Sequence, residues 1–244
     1  MKGVAKDRID MLLVDRGLAE TRQKAQALIL SGNVFVDGQR VDKPGQTYRT
    51  DSEIQVQERP RYVSRGGLKL EAALSNFQID VAGKVCVDIG SSTGGFTDCL
   101  LQHGASKVFA IDVGTGQLDW KLRNDPRVVV KEQVNARHLT REHVPEPCQI
   151  AVCDVSFISV KLILPTVVPL LVPDSEMVIL VKPQFEVGRE DVGRGGIVRD
   201  PALHQHVCQD IEGFVRDLGF NTRLMESPIL GAEGNREFLL HAFH

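Results

Sequence analysis

Four charged side chains stand at the ends of predicted strands and helices, and their types suit proton and charge chemistry. Asp154 and Lys182 each follow a run of apolar strand residues, Lys69 lies at the start of a predicted helix, and Glu237 opens the last predicted strand. Strand ends of an α/β sheet converge on one crevice. The sequence therefore predicts a site where two lysines meet two carboxylates.

A glycine-rich turn, Asp88-Ile-Gly-Ser-Ser-Thr-Gly-Gly-Phe96, follows the short apolar run at 84–88. Such a turn lets the backbone approach a ligand and exposes amides at a helix N-terminus. Its spacing matches neither the G-x-G-x-x-G dinucleotide fingerprint nor a Walker loop. Asp112 stands 22 residues after Gly90, at the end of the next apolar run, where a carboxylate can accept hydrogen bonds from ribose hydroxyls. An adenosine-type ligand without a pyrophosphate, such as S-adenosylmethionine, fits this combination.

Short apolar runs alternate with helical periodicity from residue 84 onward. This alternation predicts an α/β fold, a Rossmann-like sheet with helices on both faces. The predicted strands are 84–88, 107–111, 128–130, 150–153, 177–181, 222–225 and 237–243, and the predicted helices are 96–103, 117–123, 162–171 and 202–218.

The first 58 residues follow a different pattern. Ile9, Leu12 and Leu13 indicate an amphipathic helix, and Thr21 is placed to cap a second one. Short strands are then predicted at 34–36, 39–41 and 54–56. So short a segment supports only a small core, so a small α+β docking module is predicted rather than an enzyme.

The net charge of −3 conceals an asymmetry between the two parts. Residues 1–67 carry 12 basic and 9 acidic side chains, whereas residues 68–244 carry 17 and 23. The stretch Arg59–Lys69 contains no acid and includes Pro60 and the Gly66-Gly67 pair. We therefore predict an N-terminal domain at 1–58, a basic linker at 59–65 and a second domain at 66–244.

Several classes of protein are disfavoured by composition. No apolar run is long enough to span a bilayer, and the basic N-terminus lacks the apolar stretch of a signal peptide. Five cysteines without a C-x-x-C pair favour reduced thiols in the cytoplasm, and the histidines show no metal-ligand spacing. We expect a cytoplasmic monomer without a metal and without a membrane contact.

The N-terminal segment resembles the αL RNA-binding motif of ribosomal proteins, pseudouridine synthases and tyrosyl-tRNA synthetases. The resemblance rests on Arg8-Ile-Asp10, Leu13-Val-Asp-Arg-Gly-Leu18, Thr21-Arg22, Ile29-Leu-Ser-Gly-Asn-Val-Phe-Val-Asp-Gly38 and Lys43-Pro-Gly45. It implies shape-based RNA binding through a phosphate-facing surface. The side chains expected there are Arg8, Arg22, Lys24, Arg40 and Lys43. Arg59, Arg61 and Arg65 of the acid-free linker are expected to contact RNA as well.

The whole chain resembles the TlyA family, often labelled hemolysin A. The motifs are the 88–100 glycine-rich segment, Ile111-Asp-Val-Gly-Thr-Gly-Gln-Leu118, Asp154-Val-Ser-Phe-Ile-Ser159, Lys182-Pro-Gln-Phe-Glu-Val-Gly-Arg-Glu190 and Gly195-Gly-Ile-Val-Arg-Asp200. The resemblance implies an αL module joined to an FtsJ-like class I methyltransferase domain. It also implies methyl transfer from S-adenosylmethionine to the ribose 2′-hydroxyl of cytidine in ribosomal RNA or a ribosomal subunit.

The family's catalytic Lys-Asp-Lys-Glu tetrad maps onto Lys69, Asp154, Lys182 and Glu237. Glu186 is an alternative for the last position because it follows Lys182 closely. Lys182 is expected either to accept the hydroxyl proton or to stabilise charge on the oxygen, and the sequence leaves both roles open. The cofactor positions carried over are Gly90, Ser91, Ser92, Gly94, Gly95, Phe96, Asp112 and Asn135.

Other interpretations stay open at this point. The glycine-rich segment 186–200 fits either a lid that orders on RNA binding or a surface loop. A membrane-active hemolysin and a catalytically silent ribosome-binding factor are the alternative functions. The resemblance also implies large-subunit RNA as the substrate, because family members that modify both subunits have longer ends, whereas this chain stops seven residues after Glu237.

Overall fold

The computed structural model describes residues 4–57 and 60–244, and the chain divides into two compact units, Met1–Pro60 and Arg61–His244. Residues 61–65, predicted as part of a linker, belong to the second unit. In the two described ranges, no helix combines the length and the apolar character that crossing a membrane requires.

The first unit packs two helices against short antiparallel strands. Its elements are β1 (Lys6–Arg8), α1 (Ile9–Asp15), α2 (Arg22–Leu30), β2 (Val34–Val36), β3 (Gln39–Arg40), β4 (Thr47–Arg49) and β5 (Ile54–Val56). Strand β2 lies between β3 and β5, and β1 pairs with β4. The hydroxyl of Thr21 accepts a hydrogen bond from the amide of Lys24, so Thr21 caps α2. Buried Ile9, Leu13, Ile29 and Val34 form much of the small core.

A buried carboxylate ties this unit together. Asp10 is fully buried and accepts hydrogen bonds from Arg8 (3.0 and 2.9 Å), Arg22 (2.9 Å) and Gln26 (2.9 Å). The hydrogen bond from Arg8 is the largest cause that holds the pKa of Asp10 well below its ordinary value. Asp10 therefore stabilises the unit in its charged form.

Replacing Asp10 by alanine is expected to destabilise this unit by about 2–3 kcal/mol, because hydrogen bonds to a charged group are lost together. A lowered native pKa contributes stability above the unfolded-state pKa, so in the parent chain this contribution disappears as the pH falls below about 4. Amide hydrogen exchange of the intact protein, read out on peptides that cover residues 4–57, measures both effects. Asp51→Ala, which breaks an exposed pair with Arg49, is the matched control and should change stability by less than about 1 kcal/mol. Equal effects of the two changes would contradict the assignment.

The second unit is a seven-stranded sheet with helices on both faces, as predicted. Its strands are β6 (Val85–Ile89), β7 (Lys107–Ile111), β8 (Val128–Lys131), β9 (Cys148–Cys153), β10 (Leu171–Val181), β11 (Asn221–Glu226) and β12 (Phe238–Phe243). Its helices are α3 (Gly66–Phe77), α4 (Gly95–Gln102), α5 (Trp120–Arg123), α6 (Leu164–Val167), α7 (Pro183–Glu186) and α8 (Pro201–Asp217). The strand order is β11-β12-β10-β9-β6-β7-β8; β12 is antiparallel to both β10 and β11, and the other neighbouring strands are parallel.

Alternate residues of each central strand enter two cores. Val87 and Ile89 pack in the core that α6 and α8 cover, while Cys86 packs in the core that α3, α4 and α5 cover. Each fully buried aliphatic side chain contributes roughly 1.5–3 kcal/mol. The chain leaves β6 for β7 on one side and returns to β9 on the other. This reversal opens a crevice at the carboxyl ends of β6 and β9.

Two local predictions were wrong, and two short strands were missed. The predicted helix 162–171 is short α6 between two 3₁₀ turns, because Pro165 and Pro169 interrupt helical hydrogen bonding. The helix predicted at 117–123 begins only at Trp120, where the side chain of Asp119 caps it. Strands β1 and β4 were missed, since three-residue strands show little periodicity.

Candidate active site

Two adjoining cavities open at the crevice between β6 and β9. Their volumes are about 420 and 500 Å³. The amide of Asp154 donates to the carbonyl of Ile89 (2.9 Å), which holds the two strand ends together at this point. The walls shared by both cavities are Gly90, Ser92, Asp154, Ser156 and Phe157.

The first cavity brings together all four members of the predicted tetrad. Lys69 and Glu237 form an ion pair of 2.5 Å, and they are only 8% and 2% exposed. Lys182 lies 2.6 Å from Asp154 and donates a hydrogen bond to the Ser156 hydroxyl (2.9 Å). The cavity is therefore lined by two ion pairs, each formed by one lysine and one carboxylate.

The topology explains why residues so far apart in sequence meet here. Asp154 and Lys182 directly follow β9 and β10, whose carboxyl ends lie at the same edge of the sheet. Strand β12 is antiparallel to β10, so its beginning, where Glu237 stands, lies at that edge as well. Lys69 comes from the first turns of α3. The tetrad therefore depends on β12 running in the opposite direction.

Glu186, the alternative carboxylate, lies elsewhere. Its two oxygens accept hydrogen bonds from the Ser159 hydroxyl (2.6 Å) and the Val160 amide (2.9 Å), and it lines neither cavity. Burial raises the pKa of Glu186. The structure thus places Glu237, rather than Glu186, with the lysines.

The second cavity has the features of a nucleoside pocket. Each carboxylate oxygen of Asp112 accepts one backbone N–H, from Ser92 and from Gly114 (both 2.7 Å), which leaves acceptor capacity for hydroxyl groups. Apolar side chains of Val134 and Ile158 form part of its walls. Asn135 also lines this cavity, and its side chain accepts a hydrogen bond from the backbone of the following 3₁₀ turn.

The predicted cofactor residues are distributed between the two cavities. Gly90 and Ser92 line both, and Ser91, Gly95 and Phe96 line the first. Gly94 lines neither, but with φ of +95° it caps α4. Among the described residues, no group of three or more His, Cys, Asp or Glu side chains could hold a metal ion.

Gly90 makes the turn between β6 and the glycine-rich loop possible. Its φ is +82°, and a Cβ there would lie 2.5 Å from the Asp154 carbonyl oxygen. We expect Gly90→Ala to weaken binding of S-adenosylmethionine, the ligand predicted from the sequence, at least about tenfold, because the loop must move away from β9. Calorimetric titration checks this. Gly83→Ala is the control, since Gly83 has φ of +71° with open space beside it. Equal affinity of the Gly90 variant and the parent chain would show that the turn does not shape the cofactor site.

Sequence reasoning missed several residues that line the first cavity. Phe157 follows the strand end that carries Asp154, is 91% exposed and has a left-handed backbone with φ of +65°. Its ring lies 5.1 Å from that of Phe185, and Gln184 lines the cavity beside them. Phe157 and Phe185 both lie within motifs on which the family resemblance rests, but nothing in the local sequence pattern shows that Phe157 is exposed.

Gly231 is another residue near the site that sequence reasoning missed. A Cβ at Gly231 would overlap the carboxylate of Glu237, so a larger residue there would require this carboxylate to shift from its position beside Lys69. No signal in the sequence points to this close approach, because the two residues meet through the turn before β12.

The predicted RNA-facing residues have mixed surroundings. The guanidinium groups of Arg8 and Arg22 are held by Asp10, so these two side chains also stabilise the fold. The remaining predicted side chains of the first unit are exposed: Lys24 beside Glu20, Arg40 beside Asp42, and Lys43.

The predicted basic linker contributes three arginines. Arg59 lies outside the described residues. Arg61 is exposed and pairs with Glu71, and Arg65 lines the first cavity. Of the two linker arginines that the structure describes, Arg65 is the one beside the tetrad.

The segment 186–200 is held at its distal end. Asn235 accepts a hydrogen bond from the Val198 amide (3.1 Å) and donates one to the Gly196 carbonyl (3.0 Å). Asn235 stands two residues before Glu237, so the segment is tied to the strand start that carries this carboxylate. Closure of the segment over RNA stays a prediction.

Comparisons with known proteins agree with this arrangement. The FtsJ-like methyltransferase model matches residues 62–243, and the S4 domain model matches residues 7–54. YqxC of Bacillus subtilis is 53% identical over 97% of this chain and 85% of its own. The 16S/23S rRNA (cytidine-2′-O)-methyltransferase TlyA of Mycobacterium tuberculosis is 46% identical over 96% of this chain and 88% of its own.

A solved structure from Streptococcus thermophilus extends the likeness to three dimensions. It is 46% identical, covers 99% of this chain and 89% of its own, and superposes with a TM-score of 0.74. The two family models together account for both units of the fold. The chain therefore belongs to the TlyA family, in which an S4 domain precedes an FtsJ-like methyltransferase domain.

Proposed function

We propose that this chain transfers a methyl group from S-adenosylmethionine to the ribose 2′-hydroxyl of cytidine in ribosomal RNA. The observation that carries the proposal is the pair of ion pairs, Lys69–Glu237 and Lys182–Asp154, around a cavity that adjoins a nucleoside-sized pocket. The names and identities of the relatives support the same reaction. The four side chains come from one chain, so a monomer is sufficient.

The residues around the second cavity fit the cofactor. Its volume of about 500 Å³ lies within the usual range for small-molecule sites. Asp112 would accept hydrogen bonds from ribose hydroxyls, and Asn135 with Val134 and Ile158 would contact adenine. Backbone amides of the glycine-rich turn would hold the carboxylate. When bound, S-adenosylmethionine supplies a methyl group that its sulfonium already activates for transfer.

The chain's own residues must then position and activate a ribose hydroxyl. Orientation of the two reactants contributes about 7–11 kcal/mol to such reactions. Lys182 presents its ammonium to the cavity between Asp154 and Ser156, where it would stabilise negative charge developing on the 2′-oxygen. Asp154 and Ser156 orient the ammonium, and the Lys69–Glu237 pair holds α3 against the start of β12.

RNA would reach this cavity past aromatic side chains. Exposed Phe157 and neighbouring Phe185 offer faces on which unpaired bases stack, a common mode of RNA recognition. The S4 domain would dock the RNA through phosphate contacts, with Lys24, Arg40 and Lys43 as exposed cations. Because ribosomal RNA is the proposed substrate, we place the protein in the cytoplasm.

Labelled methyl transfer tests the proposal. Purified protein is incubated with methyl-labelled S-adenosylmethionine and either naked ribosomal RNA, separated small subunits or separated large subunits. Nucleoside digestion and mass spectrometry should find 2′-O-methylcytidine in at least one of the three substrates. Absence of label from all three would overturn the proposal.

The alternative functions give different outcomes. A ribosome-binding factor without catalysis would bind subunits, show no heat of S-adenosylmethionine binding and leave the RNA unlabelled. A membrane-active hemolysin would lyse erythrocytes as purified protein, and the lysis would survive Lys182→Met. We expect cofactor binding and no lysis.

A further inference from the structure

Glu186 is a buried carboxyl group that the proposed chemistry does not use. It ends α7 and accepts two hydrogen bonds, from the Ser159 hydroxyl (2.6 Å) and the Val160 amide (2.9 Å). It lies outside both cavities. Both hydrogen bonds described for the Glu186 carboxylate therefore come from a segment 26 and 27 residues earlier in the chain.

The two segments that Glu186 joins supply much of the cavity walls. Residues 182–185 contribute Lys182, Gln184 and Phe185 to the first cavity. Residues 154–158 line both cavities and include Phe157. The hydrogen bonds of Glu186 therefore tie together the two chain segments, 154–160 and 182–186, that carry these wall residues.

Phe157, at the rim of the first cavity, needs such a tie because its backbone is strained. Phe157 has φ of +65°, a conformation that a bulky side chain holds only when the surroundings maintain it. Its side chain is almost fully exposed, so packing of the ring contributes little beyond the contact with Phe185. On one side of Phe157, Ser156 accepts a hydrogen bond from Lys182, and on the other side the nearest described hydrogen bonds to another segment are those of Ser159 and Val160 with Glu186.

We propose that Glu186 is a positioning residue that holds Phe157, at the rim of the first cavity, in place for RNA. It acts as a double hydrogen-bond acceptor and not through its charge. The inference rests on the proposed function, since the rim is assigned to RNA contact. Lys182 and Asp154 are held by their strand ends and by each other, so loss of the tie should affect substrate binding more than turnover.

Glu186→Ala and Glu186→Gln separate this role from a catalytic one. Glutamine can accept from the Val160 amide and donate to the Ser159 oxygen, so it preserves the tie without the charge. We expect Glu186→Ala to raise KM for ribosomal RNA about tenfold while kcat changes less than about threefold. Glu186→Gln should stay within about threefold of the parent chain in both constants.

Two further variants guard against trivial explanations. Ser159→Ala removes one of the two hydrogen bonds without altering Glu186, and its KM should fall between those of the parent chain and Glu186→Ala. Glu142→Ala removes an exposed carboxylate outside both cavities and should change neither constant. Hydrogen exchange at the Val160 amide reports directly on the tie and should be faster in Glu186→Ala.

Each of these measurements either supports or overturns the positioning role of Glu186. A Glu186→Gln variant as impaired as Glu186→Ala would show that the charge is needed and overturn the inference, as would a normal KM in Glu186→Ala. If the parent chain methylates no ribosomal RNA, the proposed function fails. The tie is then judged by calorimetric S-adenosylmethionine affinity, which Glu186→Ala should weaken and Glu186→Gln preserve, because residues 154–158 also line the cofactor pocket.

Discussion

Replacing Lys182 by methionine is expected to reduce methyl transfer to ribosomal RNA at least about 100-fold. The change removes the ammonium that lies 2.6 Å from Asp154 and 2.9 Å from the Ser156 hydroxyl, while a methionine side chain fills similar space. Loss of one group that stabilises charge or moves a proton typically lowers the rate by roughly 10²- to 10³-fold. Initial rates with saturating S-adenosylmethionine measure the effect.

The cofactor affinity of this variant should stay within about threefold of the parent chain, because Lys182 lines the first cavity and not the nucleoside pocket. Lys161→Met is the matched control, since Lys161 pairs with Asp210 and lines neither cavity. Near-normal turnover by the Lys182 variant would overturn its catalytic assignment. Lys182→Arg separates two roles, because arginine keeps the charge but cannot accept a proton.

Breaking the Lys69–Glu237 pair is expected to destabilise the second unit by about 3–5 kcal/mol. Both groups are almost fully buried, so Lys69→Met leaves a carboxylate with no partner of opposite charge at 2.5 Å. The double variant Lys69→Met with Glu237→Gln should recover most of this loss, because no unpaired charge remains. Denaturant unfolding followed by hydrogen exchange of peptides from residues 61–244 gives the four free energies of unfolding of the cycle.

The exposed Lys161–Asp210 pair provides the comparison. The same two types of substitution there should cost less than about 1 kcal/mol, since exposed pairs are screened by solvent. The Lys69/Glu237 double variant should stay poorly active even when it is stable, which separates the role in the site from the role in folding. Additive losses in the cycle would show that the two residues do not act as a pair.

The local features of the fold were accessible from sequence because they depend on near neighbours. Thr21 as a helix cap follows from its own type and spacing, and so does the turn at Gly90. Alternation of apolar runs with helical periodicity predicted the α/β sheet. By contrast, β1 and β4 form only because residues 6–8 pair with residues 47–49, and neither strand has a pattern of its own.

The sequence by itself determined the two-part organisation, the alternation of strands and helices in the second unit, and the four residue types that meet in the first cavity. Only the tertiary structure decided which carboxylate serves which lysine. Glu186 is close to Lys182 in sequence, yet α7 turns it toward Ser159. Glu237 is 168 residues from Lys69 and still forms its ion pair, because antiparallel β12 starts at the edge where the parallel strands end. Sequence spacing constrains contacts within a turn or a helix, whereas contacts between distant segments follow from strand direction and register.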